Sequence, residues 1–222
     1  MNNSQYRGVV VPMVTPVTQD GRLDTEAVQR IIDFFAQNKV SPLLMGTTGE
    51  GNSVSQADGQ LFVETAVKAA NGRILIYAGL TGNCFAEQVR QAEIYTALGA
   101  DVIVATLPTY YALTPDQMYE YYKTLADCIT GPLMLYNILA TTHMSIPVDI
   151  IKKLADHPNI VGLKRRGFSH DSIVALKEAF RLIWREDLNR TQALERVEYD
   201  VEQTPEIKHL VAFMHSATRG VS

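Results

Sequence analysis

Ile160-Val161-Gly162-Leu163-Lys164 is a short apolar run between Pro158-Asn159 and Gly167, and it reads as a buried strand with a lysine at its C-terminal end. Alternation along a strand puts Ile160, Gly162 and Lys164 on one face. Taking an ammonium out of water is costly unless it is paired or gives up its proton. An amine of ordinary pKa, about 10.4, is neutral in only about one molecule in 2,500 at pH 7. Lowering that pKa by about 3 units takes about 4 kcal/mol, which burial can supply. The product is an amine that condenses with a ketone to form a Schiff base. Taken alone, the segment reads first as an ordinary strand end whose lysine reaches into water. The chain on its N-terminal side turns that reading round.

Residues 8–14 form a first apolar run, closed by Thr15-Pro16, and Asp20-Gly21 signals a turn. Asp24 or Thr25 can cap a helix whose Val28, Ile31, Ile32 and Phe35 fall at helical spacing. A strand at 43–45 leads into Gly46-Thr47-Thr48-Gly49-Glu50-Gly51, and a helix follows at 56–70. A strand at 74–78, a helix at 85–98 ended by Gly99 and a strand at 102–105 come next, then Pro108-Thr109-Tyr110-Tyr111. The helix at 115–128 opens on a proline, which suits a first turn. A strand at 133–136, a helix at 147–156 and the opening strand at 160–164 complete the series.

Strand and helix thus alternate six times, with a repeat of about 30 residues. The strands are short and almost wholly apolar, as expected for parallel strands covered on both faces. Two architectures fit, a (β/α)8 barrel and an open doubly wound sheet, and both place function at the C-terminal ends of strands. The polar residues gather there: Thr47 and Thr48 after the second strand, Tyr110 after the fourth, Tyr136 ending the fifth and Lys164 ending the sixth. No Gly-x-Gly-x-x-Gly follows the first strand, which weakens a dinucleotide-binding reading. After Phe168 only helical periodicity is legible, through Ile173, Leu176, Phe180 and Ile183, then Ala193, Leu194 and Val197, then Ile207, Leu210, Val211 and Met214. No seventh or eighth strand can be read.

The totals bound the function. The chain has 222 residues, 46% hydrophobic, enough for a sizeable core. A net charge of -4 and a pI near 5.7 argue against a nucleic-acid surface. Cys84 and Cys128 lie far apart and suit a reducing cytoplasm, and the five histidines show no metal-ligand spacing, so no metal or cofactor is expected. The N-terminus is polar rather than a signal peptide, and no apolar run is long enough to span a bilayer, so no membrane partner is expected.

The Gly46–Gly51 loop presents two threonine hydroxyls and backbone N–H groups, which suits a small carboxylate or a phosphate. By itself it is also an ordinary turn between strand and helix. A tyrosine at the end of a buried strand can relay a proton, although Tyr136 is equally a core tyrosine with a satisfied hydroxyl. Tyr110-Tyr111 reads as aromatic packing at a subunit contact. A carboxylate-binding loop, a proton relay and a strand-end lysine at successive strand ends together describe a class I aldolase that activates a 2-oxo acid. A phosphate-binding barrel enzyme using the Gly46 loop is a weaker reading.

Residues 8–164 resemble the dihydrodipicolinate synthase/N-acetylneuraminate lyase family, through Gly46-Thr47-Thr48-Gly49-Glu50, Pro108-Thr109-Tyr110-Tyr111, Tyr136-Asn137 and Gly162-Leu163-Lys164 in that order. The resemblance implies a (β/α)8 TIM barrel with C-terminal helices and a homo-oligomer, dimer or tetramer. It implies that Lys164 is the Schiff-base lysine for pyruvate and Tyr136 the proton-shuttling tyrosine. Thr47 and Thr48, in the loop opened by Gly46, would bind the pyruvate carboxylate and link it to Tyr136. Tyr110 corresponds to a tyrosine that reaches a neighbouring subunit's site in the synthase branch. The substrates implied are pyruvate or a related 2-oxo acid and an aldehyde.

The chain departs from the family pattern. Leu139 stands where a proline is usual, and Thr141 where the synthase branch carries an arginine for the second substrate's carboxylate. Arg165 and Arg166 follow the lysine in place of a small acidic or hydroxyl residue; a continuing strand would put Arg166 on the face of Lys164, lowering its pKa by repulsion or obstructing the mouth. The barrel is incomplete, with about six strands over residues 1–168, and a helical segment follows at 169–222. That segment reads as the family's own C-terminal helices after an internal deletion near residues 165–168. Six strands leave two open edges, which must be covered, paired or wet. An inactive, shortened homologue serving as a binding or oligomerisation module is the alternative function.

Overall fold

A computed structural model describes residue 6 and residues 8–165, 170–184 and 188–216. The chain divides into two compact units, Met1–Arg166 and Gly167–Ser222. In the first, β1 (Val10–Pro12), β2 (Ser41–Leu44), β3 (Tyr77–Gly79), β4 (Val102–Thr106), β5 (Leu133–Asn137) and β6 (Ile160–Arg165) pair in sequence order, every pair parallel. The crossovers are α1 (Thr25–Gln37), α2 (Gln56–Ala70), α3 (Phe85–Ala97), α4 (Pro115–Cys128) and, between β5 and β6, the short α5 (Leu139–Thr142) followed by α6 (Val148–Leu154). The architecture is a curled, incomplete (β/α)8 barrel.

Helix starts follow side chains that satisfy free N–H groups. Asp24 accepts from the Ala27 N–H, Ser55 accepts from Asp58, and Thr114 forms a reciprocal capping box with Gln117 ahead of Pro115. Strand alternation then sorts the core. Leu44, Ala78, Ile103, Ala105, Leu133 and Leu135 face the helices, meeting Ile32, Phe62, Tyr95 and Leu125. Leu43, Tyr77, Val102, Val104, Met134 and Tyr136 form a second cluster on the inner face. β3 begins at Tyr77 rather than at 74 because the Ile76 N–H is taken by the Asp101 carboxylate at 2.7 Å.

β6 corrects one expectation. Ile160, Gly162 and Lys164 do not continue one uninterrupted alternation. Leu133 pairs with Ile160 but Met134 pairs with Gly162, leaving Val161 as an extra residue in the ladder. Ile160 therefore packs in the helix-facing core while Val161 packs against the inner cluster. Such a bulge shifts the phase of every later position. Beyond it, the Cα of Lys164 pairs with that of Tyr136.

The second unit consists of α7 (His170–Trp184), α8 (Arg190–Asp200) and α9 (Pro205–Ser216). Ala175, Ala179, Leu182, Val197, Val201, Ile207 and Val211 form its core. Phe180, expected on the apolar face, is half exposed because Ala175, Ala179 and Leu182 hold the buried stripe at helical spacing. Among the described residues no helix is long and apolar enough to cross a membrane.

Candidate active site

The loop after β2 is tightly constrained. Met45 (φ 54°) and Glu50 (φ 51°), both left-handed, bracket it. Non-glycine residues in this region are strained, and such strain concentrates at functional sites. The N–H groups of Gly49 and Gly51 donate to the Gly46 carbonyl at 3.1 and 3.2 Å, and Thr15 Oγ1 donates to the Gly49 carbonyl at 2.6 Å. A Cβ on Gly51 would lie 2.2 Å from the Met45 oxygen, and one on Gly49 would lie 2.7 Å from the Met13 oxygen. Glycine is required at both positions by this close backbone approach.

The loop forms one wall of a cleft of about 220 Å³ at the C-terminal ends of the strands. Gly46, Thr47 and Glu50 contribute from the β2 end, Thr106 from β4, Tyr136 from β5 and Thr141 from α5. Thr81 lines it too, held after β3 by Gln91, which accepts from the Thr81 N–H at 2.8 Å and donates to its Oγ1 at 3.1 Å. Tyr136 is buried, at 5% exposure, inside a strand buried along its whole length. Asn137 anchors the chain just beyond it: its Oδ1 accepts from the Ile146 N–H and its Nδ2 donates to Ser145 Oγ, both at 3.3 Å.

Behind the wall a part-buried polar chain is centred on the buried Gln88. Tyr121 donates to Gln88 Oε1 at 2.6 Å, and Gln88 Nε2 donates to the Gly82 carbonyl at 2.8 Å. Burial pushes the Tyr121 phenol far above its ordinary pKa, against the opposing pull of the Gln88 hydrogen bond, so it stays a neutral donor.

The sequence-derived site residues divide as follows. Gly46, Thr47 and Tyr136 line one cleft. Thr48 is exposed on the same loop without lining it, and Tyr110 is 78% exposed beyond it, T-stacked on Tyr111 at 4.8 Å. Lys164 is placed by backbone register alone, opposite Tyr136; the side chains of Lys164 and Arg165, and Arg166 altogether, lie outside the described residues. The hydroxyls of Thr81 and Thr106 were not singled out from sequence. Their positions directly after β3 and within the end of β4 were the available signal.

Parallel (β/α) units whose strand ends converge on a polar, glycine-built cleft define an incomplete TIM barrel of the enzyme type. The model of the Dihydrodipicolinate synthetase family matches residues 5–182, and the chain belongs to that family. It is 35% identical over 162 residues to a 4-hydroxy-tetrahydrodipicolinate synthase of Thiobacillus denitrificans, a stretch covering 72% of this chain and 55% of the relative. Dihydrodipicolinate synthase from Aquifex aeolicus superposes with a TM-score of 0.69 at 33% identity, over 77% of this chain and 58% of that one. YagE, a prophage protein of Escherichia coli K12 solved in complex with pyruvate, gives 0.71 at 26% identity over 78% and 58%. The chain thus spans about half the length of the curated relatives it matches. A second family model, described as Udp N-acetylglucosamine O-acyltransferase, Domain 2, matches residues 153–222.

Proposed function

We propose that the barrel segment carries class I aldolase chemistry on pyruvate or a related 2-oxo acid. The observation that carries this reading is the juxtaposition on β5 and β6: Tyr136 lines the cleft with Thr47, and the ladder pairs Tyr136 with Lys164. The unprotonated amine of Lys164 attacks C2 of pyruvate, water leaves, and an iminium forms. Loss of a C3 proton gives an enamine, whose C3 attacks the aldehyde carbon; hydrolysis then frees the amine. Tyr136 moves the protons on and off the reacting oxygens. The Gly46–Gly51 loop, with Thr47 in the cleft lining, holds the carboxylate without a full positive charge. The steps run backwards as cleavage.

The wall presents hydroxyls at Thr47, Thr81, Thr106 and Thr141, and Glu50 is its one full charge among the described residues. That surface fits an uncharged, hydroxyl-bearing aldehyde better than a carboxylate-bearing one. The exposed Tyr110–Tyr111 pair supports a homo-oligomer in which aromatic side chains meet a second subunit. Exposed, unpaired Cys84 and Cys128 support a cytoplasmic setting.

Sodium borohydride trapping with pyruvate, read by intact mass and peptide mapping, tests the chemistry. The expected product is one reduced pyruvate adduct on Lys164; an unmodified Lys164 defeats the reading.

A further inference from the structure

Two family models of different description meet in this chain, one matching residues 5–182 and the other 153–222. The boundary between the compact units, Arg166/Gly167, falls inside their overlap. The C-terminal unit is organised around itself. All three of its helices contribute to one buried cluster, with Ala175, Ala179 and Val197 each at 1% exposure or less. Among its described residues, Asn189 and Gln192 form a reciprocal capping box, Gln203 Nε2 donates to the carbonyls of Val197 and Val201 at 2.9 Å, and His215 meets Glu198 at 3.0 Å. Helices cut from the shell of a barrel would carry their apolar stripe for the strands they once covered. These helices bury theirs against one another, as an independent domain does.

We propose that the chain is a join of two modules of separate descent, a barrel segment ending just after β6 and a three-helix module at 167–222 that folds without the barrel and takes no part in the pyruvate chemistry. The strands missing beyond β6 were then not excised from within a barrel; the barrel stops where the second module starts. This inference goes beyond the proposed chemistry and stands without it.

Urea unfolding of the full chain tests it, because the chromophores are already sorted. The single tryptophan, Trp184, lies in α7, and every tyrosine except Tyr199 lies before Gly167. Trp fluorescence therefore follows the helical module and near-ultraviolet tyrosine dichroism follows the barrel. Ala179→Asp places a carboxylate at a fully buried position of the module core. The expected result is a Trp transition moved to lower urea, or lost at zero urea, with the tyrosine transition unmoved. The milder Val197→Ala should shift the same single transition by less. Trp and tyrosine transitions that coincide in the starting chain and move together in both variants would overturn the proposal.

Discussion

The interior strands and the edge strands of the barrel segment make an instructive pair. β2 to β5 each have two hydrogen-bonded neighbours, and between them they build the Gly46 loop, the Thr81 and Thr106 hydroxyls and Tyr136. β1 and β6 each have one neighbour among the described strands. Beside β6 lies an apolar groove of about 140 Å³ lined by Leu135, Ile151, Ala155 and Leu163. Around β1, Val9 and Val14 are more than half exposed. A backbone group left buried and unpaired costs about 1–3 kcal/mol, against a typical domain stability of about 5–15 kcal/mol. The proposed carboxylate cradle and the phenol therefore belong to a wall that holds itself together, whereas the proposed nucleophile stands on an edge. Half of the candidate site is prebuilt, and half depends on how dry that edge is kept.

The sharpest way to break this contrast is at the edge. Lys164→Arg should abolish the borohydride-trapped adduct completely, since a guanidinium stays protonated and forms no Schiff base. An adduct persisting at unchanged yield would place the nucleophile elsewhere. On the prebuilt wall, Tyr136→Phe should leave adduct formation possible but slow aldol turnover by about 100- to 10,000-fold, the usual size of acid–base assistance. A loss below tenfold would return Tyr136 to a core role. Gly51→Ala probes the rigidity of the loop itself. The new methyl must displace the Met45 carbonyl, so the tyrosine-monitored stability should fall by about 3 kcal/mol. A neutral outcome would mean that the loop is soft.

Burial pushes the Tyr95 phenol, behind the wall, up to about 12. Its folded pKa lies above the unfolded value, so its contribution is complete below pH 10 and is lost as pH rises from about 10 to 12. The loss amounts to about 3 kcal/mol for a shift of that size. Tyr95→Phe should flatten this part of the alkaline limb of stability against pH; an unchanged limb would assign it to other groups. The smallest effect concerns selectivity. Thr141→Arg should raise the use of a carboxylate-bearing aldehyde relative to glyceraldehyde by about tenfold, equivalent to about 1.4 kcal/mol. No change in the ratio would take Thr141 out of substrate selection.

Much of this architecture was legible one stretch at a time. Asp24, one of two candidates, caps the first helix, and the glycine loop follows β2 as its composition required. The short helix at Leu139–Thr142 escaped because four residues carry no measurable period. The division among the loop threonines also escaped: Thr47 lines the cleft and adjacent Thr48 does not, and nothing in the pair distinguishes them before the loop is curled between Met45 and Glu50.

The order of strands and helices and the chemical types at the strand ends were settled by sequence alone, because periodicity and capping act over one or two turns of chain. Which residues meet was decided only by the tertiary structure. The extra residue at Val161 resets the phase of β6 so that the backbone of Lys164 stands opposite Tyr136, and Thr81 and Thr106 become wall residues through neighbours far away in the chain. Register is a property of a pair of strands and a core is a property of several helices, so neither can be written into a single local pattern.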